Sequence, residues 1–137
     1  MVVRQLLDTD TLSEVMKGRD SNVAQHASAY LAYYGQFSFS IITRYEILRG
    51  LKAKAATAQI AAFEDRCKSS LVLPLTDQAI LRAADIYADL WRRGELIADA
   101  DILIAATAIE YQLVLATENR AHFKRIPGLR LNSWRTL

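Results

Sequence analysis

The chain has 137 residues, a hydrophobic content of 52% and a formal net charge of +2. This length suits one domain, predicted over residues 1–137, and the apolar content excludes a disordered tail protein. No apolar run approaches the roughly 20 residues that span a bilayer, and the lone Cys67 cannot form an internal disulfide, so we expect a cytoplasmic protein without a membrane partner.

The predicted elements alternate between short apolar strands and helices. In chain order, the strands are predicted at 2–7, 37–41, 71–75, 113–116 and 129–131. The helices are predicted at 9–18, 21–35, 43–51, 55–68, 76–94 and from 99 onward, with a short turn or helix at 122–123. The predicted capping residues are Thr9 or Asp10, Ser21, Thr43, Thr76 and Asp99. The helix at 76–94 is expected to bury one apolar face, made of Ile80, Ala83, Ala84, Tyr87, Leu90 and Trp91.

This alternation favours an α/β layer fold built on a parallel sheet. In such sheets, functional sites form outside the carboxyl ends of the strands. Asp8 directly follows the first predicted strand, residues 43–46 follow the second, and residues 117–119 follow the fourth. One parallel sheet can therefore gather these polar positions at one edge.

Two further carboxylates, Asp99 and Asp101, open a helix of small and branched apolar residues. The spacing of the apolar residues in that helix predicts that it is largely buried. One interpretation is local helix chemistry, in which Asp99 caps the helix and Asp101 meets the positive end of its dipole. The other is that both acids join the strand-end residues in a shared site.

The candidate site residues all carry oxygen donors: Asp8, Glu46, Asp99, Asp101, Glu118 and Asn119. Hard cations such as Mg²⁺ and Mn²⁺ prefer oxygen ligands. No Cys or His cluster suits zinc, and His26 and His122 are predicted to stand apart from any site. Pooling four of the 15 acids in one pocket would leave 17 basic residues against 11 acids elsewhere. A basic surface around an acidic pocket suits a polyanionic substrate processed with a bound metal.

Four stretches carry these acids, in order along nearly the whole chain. They are Leu-Leu-Asp-Thr-Asp at 6–10, Ser-Ile-Ile-Thr-Arg-Tyr-Glu-Ile-Leu-Arg-Gly at 40–50, Asp-Ile-Leu-Ile-Ala-Ala at 101–106, and Ala-Thr-Glu-Asn at 116–119 followed by His-Phe at 122–123. Together they resemble the motifs of PIN-domain ribonucleases of the VapC toxin type. The resemblance implies a PIN-like three-layer α/β fold, with a roughly five-stranded parallel sheet and helices on both faces.

The same resemblance implies the toxin of a type II toxin–antitoxin pair. Such a protein is an endoribonuclease that depends on Mg²⁺ or Mn²⁺, cleaves RNA with a metal-activated water, forms a homodimer and is inhibited by a small VapB-like antitoxin. The residues that the resemblance assigns to the main ion or its support are Asp8, Glu46, Asp101 and Asp99.

Thr117 and Asn119 would orient the phosphate or the ligands in such an enzyme. Asn119 stands where many relatives carry a fourth Asp, so a second metal would bind more weakly here, and Glu118 is the candidate replacement. The basic side chains expected to contact RNA lie on or beside the helix of Glu46: Arg44, Arg49 and Lys52.

The sequence leaves two other functions open. Asp8-Thr9-Asp10-Thr11 after a strand also fits the Asp-x-Asp-x-Thr signature of haloacid-dehalogenase-like phosphatases, with Asp8 as the nucleophile and Asp10 as the acid/base. Glu46 has no role in that mechanism, but Thr43 and Glu46 match a capping box, which would make Glu46 structural. The third hypothesis is a non-catalytic dimeric module whose acids cap helices and bind a partner.

Overall fold

The computed structural model describes residues 2–136, so the terminal residues 1 and 137 of the predicted domain lie outside the described part. Its five strands are β1 Gln5–Leu7, β2 Ser38–Ser40, β3 Leu71–Leu73, β4 Val114–Ala116 and β5 Leu131–Asn132. Its helices are α1 Thr9–Lys17, α2 Ser21–Tyr34, α3 Ile41–Ala53, α4 Thr57–Lys68, α5 Asp77–Arg92, α6 Asp99–Glu110 and α7 Arg120–Phe123. All strand pairs are parallel, in the order β3-β2-β1-β4-β5. The predicted five-stranded parallel α/β fold is confirmed.

Alternate residues of the strands face two separate apolar cores. Leu6 and Leu115 belong to the core that packs against α5 and α6. Leu7 and Phe39 belong to the other, which packs against α1, α2, α3 and α4. Successive side chains of a strand point to opposite faces, so a parallel sheet with apolar residues on both faces needs helices on both sides. The structure therefore has the predicted three layers, and no helix within residues 2–136 is long and apolar enough to cross a membrane.

Most of the predicted capping residues are displaced towards the N-terminus. Asp8, Asp20 and Ser40 cap α1, α2 and α3, in place of Thr9 or Asp10, Ser21 and Thr43. A capping residue needs an extended backbone and a side chain that accepts from an N–H two or three residues later. Each observed cap is the polar residue that ends or follows the preceding segment, and the predicted residues are already helical. The Thr76 cap of α5 was predicted correctly, whereas α6 begins at Asp99 after Ala98, which makes no side-chain cap.

The buried face of α5 also differs from the prediction. Its buried side chains are Ala79, Ala83, Ile86 and Leu90. Ile80, Tyr87 and Trp91, predicted as internal, are exposed, and Trp91 is 63% exposed. The helix carries apolar residues on more than one face, so periodicity alone could not choose the stripe that packs on α6.

Candidate acidic site

Asp8 occupies the central position at the carboxyl edge of the sheet. It directly follows β1, and its backbone N–H donates to the Ala116 carbonyl of β4 over 3.0 Å. Its side chain caps α1, with Oδ1 accepting from the Thr11 N–H at 2.8 Å, and Oδ2 accepts from the Thr117 hydroxyl at 2.5 Å. Asp8 is only 4% exposed, and this burial raises the pKa of its carboxyl above the ordinary value. The side chain is thus fixed in orientation and costly to ionise without a nearby cation.

Glu46 is held by two threonine hydroxyls. The Thr9 hydroxyl donates to Glu46 Oε1 at 2.6 Å and lies 3.0 Å from the hydroxyl of Thr43, which is fully buried. A carboxylate only accepts, so the Thr9 proton is used on Glu46 and Thr43 donates to Thr9. Because α3 begins after the Ser40 cap, Glu46 lies in its second turn and cannot reach back to the cap. The capping-box hypothesis for Thr43 and Glu46 is therefore wrong.

Asp101 lies in the first turn of α6 and faces the other acids. Its pKa is raised to about 6, first by burial and then by the negative charges of Glu46 and Asp8. The charge of Asp10 acts in the same direction, and His122 partly opposes it. The structure thus brings Asp8, Asp10, Glu46 and Asp101, from three separate parts of the chain, within electrostatic range. We call these four residues the acidic cluster.

The predicted accessory acid Asp99 is placed differently. It is exposed, and it is not among the charges that act most strongly on Asp101. Asp10 and His122 do act on Asp101, although the sequence assigned neither of them to the metal site. The Asn119 side-chain amide lies 3.0 Å from His122 Nδ1. The spacing of 119 and 122 on a short helix was the sequence signal that could have identified this pair.

Thr117 links the end of β4 to Asp8. Its hydroxyl donates to Asp8 and accepts from the Asn119 backbone N–H at 3.0 Å. Thr117 is fully buried, so this hydroxyl fixes the Asp8 carboxylate away from bulk water. Of the two residues expected to orient ligands, Thr117 contacts the acidic cluster directly, whereas the Asn119 side chain contacts His122.

Glu118 is hydrogen-bonded to the C-terminal segment. Its Oε1 accepts from the Ser133 hydroxyl at 2.7 Å and from the backbone N–H groups of Trp134 and Arg135 at 3.1 and 3.2 Å. Three donors occupy the acceptor sites of this one oxygen. They hold residues 133–135 against the end of β4. Glu118 Oε1 is therefore engaged in the fold rather than with the acidic cluster.

The donors of the acidic cluster have the chemistry of a hard-cation site, although residues 2–136 contain no group of three His, Cys, Asp or Glu side chains that could hold a metal ion as they stand. All are carboxylates, and burial raises the pKa of two of them, Asp8 and Asp101, with neighbouring negative charges adding to the effect. A divalent cation would relieve that repulsion and accept oxygen ligands. The chemistry of these oxygen donors fits Mg²⁺ or Mn²⁺.

The three predicted RNA-contacting cations have different environments. Arg44 donates to both carboxylate oxygens of Glu64 at 2.9 Å, which ties α3 to α4. Arg49 lies 3.5 Å from Glu46 Oε2 and its side chain is 57% exposed. Lys52 is exposed on the last turn of α3. Arg44 is thus engaged within the fold, and Arg49 is the cation beside the acidic cluster.

Comparison with known proteins gives consistent matches over most of the chain. The family model described as PIN domain matches residues 6–129. The tRNA(fMet)-specific endonuclease VapC of Salmonella typhimurium is 28% identical over 134 residues, covering 97% of this chain and 99% of that protein. Ribonuclease VapC1 of Methanocaldococcus jannaschii is 31% identical over 121 residues, covering 88% and 79%. The crystal structure of DNA-bound VapBC from Salmonella typhimurium superposes with a TM-score of 0.85 at 28% identity, covering 97% of this chain and 99% of that one.

Proposed function

The chain belongs to the PIN domain family, among its VapC-type members, and from that premise we propose that it is a metal-dependent endoribonuclease, the toxin of a type II toxin–antitoxin pair. The proposed enzyme is one domain spanning residues 1–137 and acts in the cytoplasm. One observation carries the proposal: the negative charges of Asp8 and Glu46 both act on Asp101, at the carboxyl edge of the parallel sheet. Such a concentration of buried like charge is costly for a fold and useful for binding a cation.

In the proposed mechanism, Asp8, Glu46 and Asp101 would hold a Mg²⁺ or Mn²⁺ ion, and Asp99 would support it directly or through water. When bound, the ion supplies positive charge at the scissile phosphodiester and lowers the pKa of a water molecule. The hydroxyls of Thr117 and Thr9 keep Asp8 and Glu46 in fixed orientations. Fixed ligands need little reorganisation when charge develops on the phosphate.

Asn119 and His122 complete the polar edge of the proposed site. Their contact of 3.0 Å holds the Asn119 amide beside the end of β4, where it can orient the phosphate or a ligand. An amide adds no charge to the site, so the chain favours one strongly held ion over two.

The test of the proposed function is cleavage of total cellular RNA by the purified chain. We expect internal cuts with Mg²⁺ or Mn²⁺, loss of cleavage with a chelator, and loss with Asp8→Asn at unchanged fold. Sequencing of the cleaved ends would identify the substrate. A phosphoenzyme trapped on Asp8 would instead support the phosphatase hypothesis, which leaves the position of Glu46 in the acidic cluster unexplained. Tight partner binding without metal-dependent cleavage would support the non-catalytic module.

We also propose that a VapB-like antitoxin is the partner of this chain. The Salmonella structure that it resembles is a VapBC complex bound to DNA, and the two chains align almost end to end. A short reading frame beside the gene for this chain should encode the antitoxin. Addition of that product should stop RNA cleavage, and a failure to bind it would argue against a cognate pair.

The exposed side of α5 supports a homodimer. Its large apolar side chains are Ile80, Leu81, Tyr87 and Trp91, each more than 40% exposed. Several large exposed apolar side chains on one helix suit an interaction surface, and Trp and Tyr are enriched at such surfaces. We therefore propose that two copies associate through this side of α5.

Light scattering should show a particle of twice the chain mass. Trp91→Glu places a charge in the proposed interface and should give a monomer with an unchanged fold. Tyr33→Glu is the matched control, because Tyr33 is similarly exposed but lies on α2. A wild-type monomer, or a dimer insensitive to Trp91→Glu, would contradict this surface.

A further inference from the structure

Tyr45 presents an exposed aromatic ring beside the acidic cluster. It precedes Glu46 on α3, and 58% of it is exposed. The Arg49 guanidinium carbon lies 5.2 Å from the centroid of the Tyr45 ring, and a terminal nitrogen of the same group lies 3.5 Å from Glu46 Oε2. Arg49 thus contacts both the ring and a proposed metal ligand, so the ring and the acidic cluster form one continuous surface.

This pair differs from the other ring–guanidinium pairs in residues 2–136. The ring of Phe37, which Arg66 approaches at 5.9 Å, is buried in the core. The ring of Tyr34, which Arg4 approaches at 4.6 Å, is half-buried, and its hydroxyl donates to a backbone carbonyl. Both rings are therefore used by the fold. The described residues offer the Tyr45 hydroxyl no hydrogen-bond partner, and its ring leaves most of its surface to solvent.

We propose that Tyr45 and Arg49 bind one nucleotide of single-stranded RNA next to the scissile phosphate. The nucleobase stacks on the Tyr45 ring, and the Arg49 guanidinium contacts the neighbouring phosphate. This inference rests on the proposed ribonuclease function and names the part of the substrate that the site holds. Proteins commonly bind single-stranded RNA by stacking its unpaired bases on aromatic rings that lie beside cationic side chains.

The charges around Arg49 favour this assignment. Its contact with Glu46 is long and its side chain is exposed, so exchanging Glu46 for an RNA phosphate costs little. Exposed Lys52, one turn further along α3, adds a second positive charge on the same helix. Without these cations, the acidic cluster would repel the RNA backbone; with them, α3 offers a place for one phosphate beside the acids.

If Tyr45 and Arg49 only stabilised the helix, removal of the ring would affect a different measurement. Tyr45 and Arg49 are four residues apart on a helix, and such a pair stabilises the helix slightly without any ligand. In that case, removal of the ring would change stability a little and leave RNA affinity unchanged. RNA affinity, and its dependence on the base, therefore separates the two roles.

The test compares Tyr45→Leu, Tyr45→Phe and the control Tyr33→Leu, all in an Asp101→Asn background that should not cleave RNA. Fluorescence anisotropy gives the Kd for short oligoadenylate and oligouridylate in the presence of Mn²⁺. We expect Tyr45→Leu to raise the Kd roughly 5- to 150-fold, as for loss of one stacked base, and to abolish a preference for adenine, which has the larger ring. Tyr45→Phe should recover most of that affinity, and Tyr33→Leu should match the background protein.

A cleavage assay with intact acids separates failure of this inference from failure of the proposed function. There, Tyr45→Leu should raise KM with little change in kcat, since stacking acts on bound substrate and transition state alike. Metal-dependent cleavage with an unchanged KM and Kd would overturn the nucleotide site and leave the ribonuclease in place. If the wild-type chain neither binds nor cleaves RNA, both proposals fail.

Discussion

Glu46→Gln is expected to lower metal-dependent RNA cleavage by roughly two orders of magnitude or more, because a bound metal contributes several kcal/mol to transition-state stabilisation. The amide keeps the size of the side chain and can still accept from the Thr9 hydroxyl. It removes the negative charge that the proposed ion requires and that raises the pKa of Asp101. The metal-free fold should therefore keep or gain stability while activity is lost. Cleavage rates and thermal unfolding of the same preparations measure both effects.

The matched control for Glu46→Gln is Thr76→Ala. The Thr76 hydroxyl caps α5 by accepting from the Ala79 N–H at 3.1 Å, on a helix that carries none of the acidic cluster. Its loss should lower the free energy of unfolding by about 1 kcal/mol and leave cleavage unchanged. If Glu46→Gln remains fully active, Glu46 is not a ligand, and the phosphatase hypothesis, which has no use for it, regains weight.

Asp101→Asn should stabilise the metal-free protein at neutral pH and remove part of its pH dependence. The folded-state pKa of Asp101 is raised from 3.8 to about 6, so the folded chain keeps a proton that the unfolded chain has already lost. This contribution is fully present below the unfolded pKa and is lost as pH rises through about 6. Because the side chain is partly exposed, we expect a decline of about 1 to 2 kcal/mol over that window. Chemical denaturation in a chelator at several pH values measures the decline in stability, which should be smaller by this amount in Asp101→Asn.

A bound metal ion should offset the loss of folding stability that ionised Asp101 causes in the wild-type protein. A cation bound only by the folded state adds about 2.7 kcal/mol when its concentration is 100 times Kd. Mn²⁺ should therefore raise the melting temperature of the wild type and have a smaller effect on Asp101→Asn. Asp65→Asn is the control, since the Asp65 side chain is 80% exposed and pairs only loosely with Lys68. Unchanged melting of the wild type in millimolar Mn²⁺ would contradict a shared metal site.

The sequence alone determined the sheet, the helix layers and most of the acidic cluster. Adjacent strand residues such as Leu6 and Leu7 are both apolar, which requires cover on both faces of the sheet. Polar residues directly after strands mark the carboxyl edge wherever the strands lie in a parallel sheet. Asp8 and Thr117 could therefore be placed at one edge before their contacts were known, because strand ends are local features of the chain.

Only the tertiary structure decided which polar side chains face one another. Glu118 and Asp101 are both acids near strand or helix ends, yet Glu118 accepts hydrogen bonds from donors 15 to 17 residues later in the chain. His122 and Asp10 join the charges around Asp101, whereas exposed Asp99, two residues from Asp101, is not among the strongest of them. The exposed face of α5 was likewise set by its packing on α6. Local patterns fix the period of a segment, but side-chain partners depend on distances between segments that only the packed fold defines.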